Sequence, residues 1–96
     1  MENYEFKTTF WQDFTIADKF GTDAINDTFK RAFNAWKDNY IYLTELVLVL
    51  NWKSHLYKQD NVRVSKLYNK LYEKANDYAI QNLKFGELDY YFDNVD

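Results

Sequence analysis

The chain has 96 residues with fifteen acidic and twelve basic side chains, a net charge of −3, and neither cysteine nor proline. That length supports one domain rather than two, and the missing cysteine excludes disulfides, thiolate metal sites and cysteine nucleophiles. Two glycines and no proline are too little punctuation for the frequent turns of an all-β fold, so the composition favours helix.

Nine tyrosines, eight phenylalanines and three tryptophans supply the large side chains a small core depends on. They also exceed what one core of this size needs, so some rings are expected at the surface, where aromatic residues serve interfaces. Glu2 and Glu5 stand where a secretory signal carries basic residues. The longest unbroken apolar run, Leu46 to Leu50, is far short of a membrane span, so a cytoplasmic protein that makes no use of a membrane is expected.

The spacing predicts an all-α fold, a compact bundle of four main helices over about 9–20, 23–38, 41–57 and 62–84 with a short C-terminal element. In the first helix Thr8 or Thr9 is the expected cap; Phe10, Phe14 and Ala17 recur at helical steps, and Gly21 ends the element. Thr22 or Asp23 is expected to cap the second. Its apolar positions Ile25, Phe29, Ala32, Phe33, Trp36 and Tyr40 share a face opposite a polar set that includes Lys30, Arg31 and Lys37.

The run Leu46-Val47-Leu48-Val49-Leu50 reads locally as a buried strand. A lone strand has no partner in this chain, and Leu43, Leu46, Val47, Leu50 and Tyr57 form a helical stripe with Val49, Trp52 and Leu56 as a second. A helix apolar nearly all round belongs at the centre of the bundle. Asp60 or Asn61 is expected to cap the fourth helix, where Tyr68, Leu71, Ala75, Tyr78 and Asn82 alternate steps of three and four. After Gly86, read as a helix end, comes an acidic aromatic segment that is either a terminal helix on the body or a mobile arm.

The runs TFWQDFTIADKFG and DTFKRAFNAWKDNYIYLTELVLVLNWK, with YEKANDYAIQNLKFGELDYYF near the C-terminus, resemble a family of small helical proteins of unknown function encoded by phages and prophages of Gram-positive bacteria. The likeness spans about Thr9 to Phe92 and implies a viral origin. It implies no activity, cofactor or site residue.

The candidate sites are few. His55 is the only histidine, and with Asn51 and Asp60 as its nearest polar companions in sequence it lacks the set a metal ion or a general base requires. Asp23 with Asp27 is better explained by a helix start than by chemistry, and no Glu-x-x-His element of a di-iron bundle is present. Glu45 precedes the most apolar run and is expected to face solvent at the helix start. No catalytic residue, cofactor or metal is predicted.

Charge is unevenly distributed. Residues 1–50 hold five basic against eight acidic side chains, residues 51–84 seven against three, and residues 85–96 none against four. Arg63, Lys66, Lys70 and Lys74 lie along one face of the fourth helix, as nucleic-acid binding would require. Glu73 and Asp77 are each three residues from Lys70 and Lys74, and ion pairs with them are expected to occupy half of that stripe, which disfavours nucleic acid.

The first-ranked surface is the C-terminal set Glu87, Asp89, Tyr90, Tyr91, Phe92 and Asp93, which joins rigid aromatic area to negative charge and suits a basic protein surface. The expected function is therefore non-enzymatic protein–protein interaction, with inhibition of a host defence or replication factor as its specific form. The alternatives are weak nucleic-acid binding through the fourth helix and a structural homo-oligomer, such as a homodimer.

Overall fold

A computed structural model describes the backbone of residues 2–95 and the side chains of residues 10–95. Five helices follow one another: α1 (Glu2–Asp18), α2 (Thr22–Trp36), α3 (Tyr40–Leu56), α4 (Val62–Asn82) and α5 (Phe85–Val95). No strand occurs among the described residues. The envelope measures 37 × 22 × 21 Å.

α3 is the axis of the fold and packs against each of the other four helices. Leu43, Leu46, Val47, Val49 and Leu50 are buried, and because they point in several directions around the helix, every side needs a neighbour. α4 lies alongside α3, closing over it with Tyr68, Leu71, Ala75 and Ala79. Where their ends meet, the Ser65 hydroxyl donates to the Ser54 carbonyl at 2.7 Å and the Ser54 hydroxyl to the Ser65 carbonyl at 3.3 Å. Two small residues thus let the helices approach while satisfying both buried hydroxyls. Phe10, Phe14 and Ala17 of α1, with Ile25 and Phe29 of α2, complete the core.

The helix ends differ from the sequence expectations in instructive ways. α1 begins at Glu2, so Thr8 and Thr9 lie within it and do not cap it. Neither Thr22 nor Asp23 caps α2, whose preceding residue Gly21 has no side chain to offer. Gly21 sits at φ 105° and ψ −174°, a combination essentially confined to glycine. Its N–H donates to the Ala17 carbonyl at 3.2 Å, so this one residue both ends α1 and turns the chain into α2. Asn39 caps α3, accepting from the N–H groups of Ile41 and Tyr42. Asn61, one of the two expected residues, caps α4 by accepting from Val64 N–H at 3.2 Å.

Gly86 does not end a helix; it lies in the first turn of α5. Lys84 starts that helix. Its carbonyl accepts from Leu88 N–H at 2.8 Å and its own N–H donates to Glu87 Oε1 at 3.0 Å, the reach-back half of a capping box. Glu45 also departs from expectation. It is buried, just past the first turn of α3.

Candidate functional site

The most connected polar cluster joins α1, α3 and α4 around Asp18. Lys53 Nζ donates to Asp18 Oδ2 at 2.9 Å, and the Tyr57 hydroxyl donates to the same oxygen at 2.7 Å. Tyr68 donates its hydroxyl to the other carboxylate oxygen. Lys53 also reaches Thr15 Oγ1 at 2.8 Å, which donates onward to the Trp11 carbonyl at 2.7 Å. The ammonium stands over the Trp11 ring, 4.2 Å from its centroid. The Lys53 and Asp18 side chains are only 2% and 9% exposed.

Two charges are tolerated there because each is neutralised and hydrogen-bonded by the other groups. Burial, then the hydrogen bond to Asp18 and its charge, push the Tyr57 hydroxyl up to about 12; the same causes in the same order push Tyr68 up further. The cluster's hydrogen bonds run among its own members, which makes it a structural hub fastening the end of α1 to α3 and α4. Nothing in residue type marked Asp18 and Lys53 as partners, since 35 positions separate them. The available signal was a lysine on the one helix whose other faces are apolar.

α5 presents the clearest outward face. Tyr91 is fully buried and donates its hydroxyl to Asn76 of α4, while the Tyr90 ring meets Tyr40 edge-on at 5.2 Å between centroids. These two aromatics hold the helix on the body, and Tyr91 is thereby withdrawn from the expected docking set. Glu87 is half-buried and occupied in the cap. The opposite side carries Phe85, Asp89, Phe92 and Asp93, spaced four, three and one, so that they share one helical face. Phe85 is 84% exposed and Phe92 43%. Phe85 was missed in the sequence because Gly86 read as a boundary that left it outside the segment.

On α4, Arg63, Lys66, Lys70 and Lys74 are all exposed on the side opposite the buried seam. Among the described residues the ion pairs are Asp27–Arg31 and Asp18–Lys53. The expected pairs of Lys70 and Lys74 with Glu73 and Asp77 are therefore not made. Glu73 instead accepts from Asn69, and Lys74 lies 5.9 Å from the Phe29 ring centroid. His55 is exposed, and no group of three potential metal ligands occurs among the described residues. No described helix is long and apolar enough to cross a membrane.

An open groove of about 460 Å³ runs between α1 and α2. Phe10, Ala17, Ala24 and Ala32 help to line it, Ile16 and Phe20 stand exposed beside it, and Asp13 and the Asp27–Arg31 pair supply its polar groups. Sequence reasoning did not single it out, because its residues belong to two helices whose approach is set by the Gly21 turn. No protein-family model, curated protein or solved structure matches the chain.

Proposed function

We propose that this chain is a non-enzymatic protein-binding module in which four longer helices form the body and α5 presents the docking face. The carrying observation is the row Phe85, Asp89, Phe92 and Asp93, turned to solvent on a helix that Tyr91 fixes from behind. Exposed phenylalanines on a helix already held in place offer contact area without a large ordering cost. The flanking carboxylates select a partner with basic groups around an apolar patch. With the phage-family resemblance, a protein of the bacterial host cytoplasm is the expected class of partner, and inhibition of it the expected consequence.

Affinity capture from such a host with the intact chain, F85S/F92S and D89K/D93K tests this reading. Both variants are expected to lose the captured protein while their helical circular dichroism is unchanged. Retention of the same partner by both would remove α5 as the interface.

The second reading is nucleic-acid binding through α4, favoured by the absence of ion pairs from Lys70 and Lys74 to Glu73 and Asp77. It predicts that a labelled single-stranded oligonucleotide binds at low salt, loses affinity steeply as salt rises, and fails to bind K66E/K70E. No change in polarisation at low salt would eliminate it.

A further inference from the structure

The proposed docking face of α5 has a charge complement elsewhere on the same molecule. Residues 85–96 carry four acidic and no basic side chains, while residues 51–84 carry seven basic against three acidic. Four of those basic side chains, Arg63, Lys66, Lys70 and Lys74, lie on α4, the helix before the acidic α5, yet no described ion pair joins the two helices. Asp89 and Asp93 face solvent on α5; Arg63, Lys66 and Lys70 face solvent on α4. The two sets point away from the body instead of neutralising one another within it.

From this we infer that in the free protein the α5 face is covered by a second copy of this chain, with the α5 of each copy lying on the outer face of the other's α4, and that a host protein binding there would displace it. The inference rests on the reading of α5 as a docking face and supplies its occupant. Asp89 and Asp93 of one copy meet Lys66 and Lys70 of the other.

A two-fold arrangement makes both contacts at once and closes the assembly, whereas a single head-to-tail contact would leave one acidic and one basic face open and run on into a filament. The α1–α2 groove is a poorer seat for the same helix despite its apolar lining. Asp13 lies along it and would face Asp89 and Asp93, while Arg31 there is already paired with Asp27, and juxtaposed like charges oppose docking.

Sedimentation equilibrium of the intact chain, at low salt and over dilutions up to about 0.1 mM, tests the inference across the affinity range of a modest interface. The expected result is a species of twice the 11.7 kDa chain mass, whose dissociation constant rises by roughly tenfold when salt shortens the reach of the charges. K66E/K70E and D89K/D93K are each expected to sediment as monomers with intact helical signal, and an equimolar mixture of the two to form a heterodimer, since one contact then keeps its native charges and the other is complementary with its signs exchanged.

A monomer at every concentration overturns the inference, as does a dimer indifferent to both reversals. A monomeric chain that still loses its captured host protein on D89K/D93K overturns self-association alone and leaves the α5 face standing. A chain that is monomeric and also keeps that protein in the variant removes both readings.

Discussion

Asp18 accepts from a lysine and two tyrosines at once, and this concentration of donors sets the consequences of changing it. Asp18→Asn removes the charge that compensates the ammonium of Lys53 and leaves a buried cation behind. The expected loss is about 3–5 kcal/mol, a large share of the ~5–15 kcal/mol that holds a domain of this kind together. Pairing the change with Lys53→Met, which removes the stranded cation, is expected to recover part of the loss; urea unfolding of the two variants measures the difference. The tyrosines add a pH dependence. An unfolded tyrosine loses its proton around 10.0, whereas Tyr57 in the fold holds it to about 12, so the native state binds the extra proton. Its contribution is complete below pH 10.0 and disappears as pH rises through about 12. The urea midpoint is therefore expected to fall across that window, in step with phenolate absorbance, and less steeply in Tyr57→Phe. None of this was legible beforehand, because periodicity reports which face a residue occupies and not which distant residue it meets there.

At the scale of elements, the regular parts of the chain could be read and the junctions could not. α3 was legible as the central helix because no single face contained its apolar residues, and α4 because Tyr68, Leu71 and Ala75 keep one seam. The N-caps of α1 and α2 were misplaced because threonine and aspartate are common caps wherever they occur, while the bend between these helices depends on backbone freedom at Gly21. A methyl group at that position would meet nothing within 4 Å, so Gly21→Ala isolates the backbone cost of φ 105°. It is expected to lower stability by about 1–3 kcal/mol, read from the thermal midpoint. α5 shows how one reversed assignment hides a site: once Gly86 is placed inside the helix, Phe85 joins Asp89, Phe92 and Asp93 on one face. Tyr91→Ala and Phe85→Ser then separate the two sides of that helix. The first should cost about 3–5 kcal/mol, the second no more than about 0.5 kcal/mol, as measured by urea unfolding.

For the whole molecule, α5 is at once a wall of the core and the proposed contact face, and a truncation cannot separate these roles. Ending the chain at Lys84 removes Tyr91 from its socket, leaves the Asn76 side chain without that donor and uncovers the face of Tyr40 that Tyr90 meets. Loss of the Tyr91 side chain alone should cost about 3–5 kcal/mol. In a domain of this size each kilocalorie moves the thermal midpoint by roughly 4–8 °C, so the truncated chain is expected to melt at least about 12 °C lower and to bind the apolar dye ANS through its newly exposed core. D89K/D93K leaves Tyr90 and Tyr91 in place, and its midpoint is expected to move by no more than roughly 4 °C, the range of ordinary surface changes. If the truncated chain melts as the intact one does, α5 is an appendage rather than a wall, and the packing of Tyr91 contributes little to the fold. If it melts early while D89K/D93K does not, lost binding after truncation reports unfolding, and only the charge reversal reports the contact face.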